Sequence, residues 1–268
     1  MDRELVLSKY KKTEDKLLIS KMFDKIDYTE KTNKVSTTDF YNESERAILK
    51  NVLNTIGTKN YIFYGGCENA DRNILVFYPE KMEELFIEKS FKYDTIVSVF
   101  RIIIPKENRL SFNHSVYLGG LIKLGIKREK IGDIIVFDDG ADIIVKKEID
   151  KFLYSNLQTL TRFSNTTISQ ISVNDIEVQQ KRFNNFNIIT SSLRLDNMVA
   201  ELARTSRSRA GEILNQERIF VNYALEIKPT KLVKESDIIT IRGKGKFVID
   251  QVQQNSKGKY IVMIRQYI

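Results

Sequence analysis

The 268-residue sequence predicts an α+β protein: a helical N-terminal region, a central α/β region, and a C-terminal module of two helices and a small β-sheet. Three observations carry that expectation. Apolar residues recur at spacings of three and four through residues 1–55. Runs of β-branched and aromatic residues then alternate with helical patterns between residues 75 and 178. The positive charge, finally, is segregated: residues 181–268 hold 16 Lys plus Arg against 8 Asp plus Glu, whereas residues 1–180 hold 27 of each. The domains expected on these grounds are 1–74, 75–180 and 181–268.

Leu5 to Leu18 mixes apolar and charged residues at helical spacing, and "NESERAILKNVLNTIG" (42–57) predicts a capped helix. Asn42 or Ser44 can accept from its free N–H groups, and Gly57 can end it. "NYIFYGGCENADRNILVFYP" (60–79) changes the pattern to two short strands around Gly65-Gly66, and Pro79 opens a short helix. "TIVSVFRIIIP" (95–105) reads as a buried strand ended by Pro105, and "HSVYLGGLIKLGI" (114–126) as a helix. "DIIVFDDGADIIV" (133–145) is a hairpin with Asp139-Gly140 in its turn. A helix over "KEIDKFLYSNLQTL" (147–160) and a strand over "TTISQISV" (166–173) complete the region. This succession predicts helices on one face of a sheet, and an RNA-recognition-type α/β plait is one such fold. The aromatic signature with which that fold stacks bases is missing from the strands. "NDIEVQQKRFNNFN" (174–187) is polar and reads as the linker to the basic module.

Several function classes are excluded or disfavoured at this level. No run of about 18 apolar residues exists to span a membrane. The acidic, lysine-rich start does not read as a signal peptide, so a cytoplasmic location is expected. Cys67 is the only cysteine, which excludes an internal disulfide and thiolate zinc sites. Gly65-Gly66 lacks the Lys-Ser/Thr pair of a phosphate loop, and "DDGAD" (138–142) is too short for a calcium loop. His114, the single histidine, fits a helix start or a structural position better than catalysis. No catalytic residue, metal site, cofactor or homo-oligomer is predicted.

In the basic module, Leu195, Met198, Val199, Leu202 and Ala203 form the apolar stripe of one helix, with Asp196 in its first turn. A second helix begins near Ser206, which can cap it, and buries Ala210, Ile213 and Leu214. Arg207 and Arg209 fall at that helix's positive end, where cations are unfavourable unless an anion arrives. A phosphate would reverse the penalty, since guanidinium forks fit its oxygens. The competing reading is solvated arginines paired with Glu201 or Glu212. Strand-like segments follow, with turns at Asn222-Tyr223 and Lys257-Gly258. "RGKGK" (242–246) puts Arg242, Lys244 and Lys246 at alternate positions, which predicts one shared strand face; a polar edge against strand pairing is the plainer alternative. The charge excess points to an acidic partner, nucleic acid before an anionic membrane surface.

Residues 194–241 resemble the S-four RNA-binding domain, the αL motif named after a small-subunit ribosomal protein. The resemblance rests on Arg194-Leu195-Asp196, Ser206-Arg207, Val221-Asn222, Lys228-Pro229 and Asp237-Ile238-Ile239. Glu217, Tyr223 and Ser236 stand where that pattern usually has glycine, at turns. RNA contacts are expected from Arg194, Arg204, Ser206, Arg207, Arg209, Lys228, Arg242, Lys244 and Lys246. Lys123, Lys127, Arg128 and Lys130 form a possible second RNA-facing cluster, or a solvated helix end. Arg194-Leu195-Asp196 also resembles the Arg-Leu-Asp of pseudouridine synthases, but only 72 residues follow Asp196, too few for their separate catalytic domain.

"FNHSVYLGGLIKLGIKREKIGDIIV" (112–136) and "YGGCENADRNILVFYP" (64–79) are similar to the central region of the YlmH family, although Ser115 stands where the family usually has arginine. That resemblance implies a non-catalytic protein that binds structured RNA, ribosomal or transfer, on the large ribosomal subunit in translation quality control, with a link to cell division. An RNA-modifying enzyme anchored by the basic module is the alternative, and a membrane-surface or division adaptor is the third.

Overall fold

The computed structural model describes residues 3–177 and 183–267, apart from the side chain of Leu110. It is α+β and divides into two compact units, Met1–Gln179 and Gln180–Ile268. The boundary expected at 180/181 lies outside the described residues. The one expected at 74/75 falls inside a strand, Ile74–Phe77.

The first unit begins with helices α1 (Arg3–Ser8), α2 (Thr13–Thr32) and α3 (Glu43–Ile56). The continuous helix expected from Leu5 to Leu18 is interrupted between α1 and α2. α3 carries a full capping box: Asn42 Oδ1 accepts from Glu45 N at 3.0 Å, and Glu45 Oε2 accepts from Asn42 N at 2.7 Å. Gly57 ends it in the left-handed region at φ 73°. Strands β1 (Ser36–Thr37), β2 (Tyr61–Tyr64) and β3 (Ile74–Phe77) form a small antiparallel sheet with β3 in the middle. Because β3 is buried on both faces, its side chains divide by parity. Leu75 and Phe77 join Met22, Leu49 and Leu53 under the helices, while Ile74 and Val76 turn the other way.

After the short helix α4 (Glu83–Ile87), the chain runs β4 (Val97–Ile103), α5 (His114–Lys123), β5 (Ile131–Phe137), β6 (Gly140–Lys146), α6 (Asp150–Asn156) and β7 (Thr167–Ile171). The four strands pair antiparallel in the order β5-β6-β4-β7. Phe100, Ile102, Ile143 and Val145 face α5 and α6, where Tyr117, Leu121, Leu153 and Phe163 pack. The opposite face is covered too: Val97, Val99 and Ile144 pack against Phe40, Ile74 and Val76. Two sheets are therefore stacked between two helical layers, and neither face of the four-stranded sheet is open for bases. Gly140 allows the closest approach, since a Cβ there would lie 2.0 Å from the Ile102 carbonyl oxygen. Asp142, fully buried, accepts from Arg101 Nε at 2.8 Å and Nη2 at 2.7 Å, so "DDGAD" supplies a turn and a buried ion pair.

The second unit comprises β8 (Phe183–Thr190), α7 (Leu195–Ala203), α8 (Arg207–Asn215), β9 (Ile219–Val221), β10 (Ala224–Leu225), β11 (Ile238–Ile241), β12 (Gly245–Gln254) and β13 (Tyr260–Tyr267). Its six strands lie in the order β10-β9-β11-β12-β13-β8, with both helices on one face over Leu195, Met198, Val199, Leu214, Ile239 and Ile264. β8 corrects the linker expectation. Residues 183–187 are the start of an edge strand whose Phe186 and Ile188 pack inward while Asn185 and Asn187 face out.

Glu217, Tyr223 and Ser236 adopt φ of 57°, 67° and 68°. The turns thus keep the left-handed geometry that favours glycine without having glycine. With Asn222 at φ 49°, Asn222-Tyr223 is a two-residue hairpin turn with both central residues left-handed. Left-handed backbone costs an ordinary residue roughly 1–2 kcal/mol, partly offset by the greater unfolded-state freedom of glycine. Glu217→Gly and Ser236→Gly are each expected to stabilise the protein by about 0.5–1 kcal/mol. Thermal unfolding followed by circular dichroism checks this, and a lowered midpoint would contradict it.

Candidate nucleic-acid interface

The first turn of α7 is held by the Lys228–Lys231 turn: the Pro229 carbonyl accepts from Asp196 N at 3.1 Å and the Lys231 carbonyl from Leu195 N at 2.8 Å. Asp196, 8% exposed at its side chain, then gathers two of the expected arginines. Arg194 donates to both its oxygens at 3.2 and 3.0 Å, and Arg207 donates to Oδ2 from Nε at 2.9 Å and from Nη2 at 2.8 Å. Hydrogen bonds from Arg194, then from Arg207, hold the Asp196 carboxyl down at about 2. Arg207 is therefore anchored internally through the Nε and Nη2 edge of its guanidinium, with 56% of its side chain still exposed.

The chain turns at Arg204, in left-handed backbone, and α8 starts at Arg207 with Ser206 Oγ accepting from Arg209 N at 3.2 Å. Ser206 thus acts as the helix cap. Arg209 pairs with Glu212 one turn on, as the competing sequence reading allowed, though both groups are more than half exposed. Carboxylates Asp196 and Glu212 thus already offset part of the penalty for cations at this helix start.

Arg204, Arg209, Arg242 and Lys244 nonetheless converge. Together with Ala203, Thr205, Arg218, Ile213 and Ile241 they line a cleft of about 280 Å³ between the α7–α8 corner and the β11–β12 turn. Five of the nine lining residues are cations and none is an acid. Arg218 is the member that sequence reasoning missed. It directly precedes β9, and antiparallel pairing of Ile219 with Ile241 brings it beside Arg242, whose carbonyl accepts from Arg218 Nη2 at 2.7 Å. Arg242 also lies over the Phe220 ring, 4.7 Å from its centroid.

"RGKGK" departs from the expected alternation. β11 ends at Ile241 and pairs with Gly245, so Arg242-Gly243-Lys244 is a turn, with Gly243 at φ 82°. Arg242 and Lys244 face the cleft, whereas Lys246 sits over the Tyr223 and Tyr267 rings at 5.4 and 5.0 Å. Lys228 is exposed and does not line the cleft.

The second expected cluster is divided in the same way. Arg128 donates to the carbonyls of Ile131 and Gly132 at 2.8 and 3.3 Å, and burial, then the neighbouring Arg72 charge, pushes its guanidinium down to about 10. Lys130 bridges Asp39 and Glu148. Both hold the first unit together, and only Lys123 and Lys127 remain exposed. His114, the first residue of α5, is exposed and follows the capping residue Asn113.

A family model described as "Putative RNA-binding domain in YlmH" matches residues 89–180, which hold the β4-α5-β5-β6-α6-β7 succession. This stretch is similar to the RNA-binding domain of the YlmH family. "Ribosome-associated protein quality control protein P2" of Bacillus subtilis (strain 168) is 25% identical over 224 residues, covering 84% of each chain. The solved structure "Cell division protein ylmH from Streptococcus pneumoniae" is 19% identical with a TM-score of 0.47, over 63% of this chain and 98% of that one. Both faces of the matched sheet are covered within the first unit, and the concentrated positive cleft belongs to the second. Among the described residues no helix is long and apolar enough to cross a membrane.

Proposed function

We propose that this chain is a non-catalytic, cytoplasmic RNA-binding protein whose second unit is an αL-type module gripping structured RNA by its phosphates. The carrying observation is the cleft lined by Arg204, Arg209, Arg218, Arg242 and Lys244 with no acid among its lining residues. Such contacts position an RNA without reading its sequence. The β4–β7 part of the first unit is read as a plait, from its βαββαβ order, that contributes through its exposed helix end rather than through its covered sheet. The name of the Bacillus subtilis relative supports a ribosomal partner and a part in quality control; ribosomal or transfer RNA on the large subunit is the target this reading favours.

Binding of the full chain to a labelled RNA hairpin across a salt series tests the reading. Affinity is expected to fall steeply with salt, and Arg207→Ala to reduce the slope by about 1. A slope that Arg207→Ala leaves unchanged would remove Arg207 from the phosphate contacts and confine its role to Asp196.

One observation favours an RNA-modifying enzyme as the second reading. Lys146, 5% exposed, is pushed down to about 8 by burial beside a cavity of about 700 Å³ that Asp39, Glu129, Lys130 and Glu148 also line. Its Nζ is, however, committed to Thr37 Oγ1 at 2.6 Å and the Thr38 carbonyl at 2.8 Å, which ties β6 to β1. Mass spectrometry of cellular RNA with and without the gene separates the readings, a lost modification favouring the enzyme.

A further inference from the structure

The face of the six-stranded sheet opposite α7 and α8 is not a plain solvated surface. Register places Phe220 opposite Thr240, Thr240 opposite Lys246, and Tyr267 opposite Phe183. Their chain neighbours Ile219, Ile239 and Phe247, and Ile264 three positions before Tyr267, point into the core, so these side chains share the outer face. Cations interleave with the rings. Arg242 lies 4.7 Å over Phe220, Lys246 lies between Tyr223 and Tyr267, and Arg265 lies 5.4 Å over Phe183. Phe183 and Tyr267 meet edge to face at 4.9 Å. The four rings are only partly buried, and none belongs to the core that the helices cover. One acid intrudes, Asp250, which pairs with Arg265 Nη2 at 2.8 Å. Arg265 Nε, buried, has no hydrogen-bond partner among the described residues.

Rings alternating with cations along a sheet combine the two elements that hold unpaired nucleotides: π-faces for bases and positive charge for the backbone. Arg stacks on bases as it does on aromatic rings, so cations and rings on one face can hold the same strand. We infer that this outer face is a second RNA site, a stacking platform for unpaired nucleotides built on Phe183, Phe220, Tyr223 and Tyr267. The inference rests on the RNA-binding reading and adds to it. The cleft grips the backbone of a structured element, and the platform takes bases that the structure leaves unpaired.

The test compares three labelled RNAs on the full chain: an oligoadenylate 12-mer, the same length with abasic residues, and a blunt hairpin. The 12-mer is expected to bind at least about tenfold tighter than its abasic counterpart. Phe183→Leu and Tyr267→Leu should each weaken the 12-mer about tenfold and leave the hairpin unaffected. Phe183→Tyr and Tyr267→Phe, which keep the rings, should bind the 12-mer as the parent does, and circular dichroism melting identifies any variant that fails to fold. Equal binding of the 12-mer and the abasic strand, or leucine variants that bind the 12-mer normally, would overturn the platform while hairpin binding leaves the cleft reading standing. Loss of hairpin binding by the parent as well would overturn both.

Discussion

Changing Arg209, Arg218 and Lys244 together to alanine is expected to weaken hairpin RNA binding about 100-fold at moderate salt and to take about 3 off the salt slope. The three cations come from different elements of the second unit, the start of α8, the residue before β9 and the β11–β12 turn. Each neutralised phosphate releases condensed counterions, so each lost contact removes about one from the slope. A hydrogen bond contributes roughly 1 kcal/mol net, so three lost contacts remove about 3 kcal/mol, or about two decades of affinity. Folding should change little. The Arg209–Glu212 pair is exposed on both sides, and such pairs contribute about 0–1 kcal/mol. Arg218 gives up one hydrogen bond to the Arg242 carbonyl, about 1 kcal/mol. Filter binding at a series of salt concentrations, with melting curves alongside, checks the result. A triple variant with the parent's slope would mean the cleft does not meet phosphate.

Asp196→Ala is expected to cost about 2–3 kcal/mol of stability and, secondarily, to weaken RNA binding. The substitution removes four hydrogen bonds from Arg194 and Arg207, one from the Asn197 N–H, and the only carboxylate between two guanidinium groups. It also deletes an acid from the first turn of α7, where the helix dipole favours one. The pH dependence is specific. The Asp196 carboxyl is lowered from 3.8 to about 2 when folded, so its stabilisation is complete above pH about 4 and is lost as pH falls through about 2. That difference corresponds to roughly 2 kcal/mol. Urea unfolding at pH 7 and near pH 2 should show the gap between parent and Asp196→Ala shrinking at the lower pH. A constant gap would contradict the ion-pair account. In this geometry Asp196 is the group that orients Arg194 and Arg207, which is why the Arg-Leu-Asp sequence needs no catalytic explanation.

Local grammar made parts of this structure legible. Asn42 and Gly57 mark α3 because capping depends on residue types three and four positions apart. The Asn222-Tyr223 turn and the apolar stripe of α7 follow from equally short-range rules. What depended on register or on distant partners stayed hidden. β8 looked like a linker because an edge strand can expose asparagine on its outer face, and only Phe186 and Ile188 betray an inward side. Arg218 reaches the cleft through the pairing of β9 with β11, more than twenty residues away. The partner of Arg207 lies on the preceding helix, beyond the reach of i, i+3 and i, i+4 reasoning. "RGKGK" misled because strand alternation was assumed across Gly243, whose φ of 82° makes a turn instead. Arg128 and Lys130 read as part of an RNA-facing cluster or a solvated helix end, and only the fold reveals the β5 carbonyls that hold Arg128 and the Asp39 and Glu148 carboxylates that hold Lys130.

In the proposed function the second unit holds the RNA, although the match to the YlmH model falls on residues 89–180. Photo-crosslinking the full chain to a hairpin RNA and mapping the attached peptides by mass spectrometry tests it directly. The account predicts crosslinks concentrated in residues 204–218 and 242–246. Crosslinks confined to residues 89–177, with none in 183–267, would contradict it.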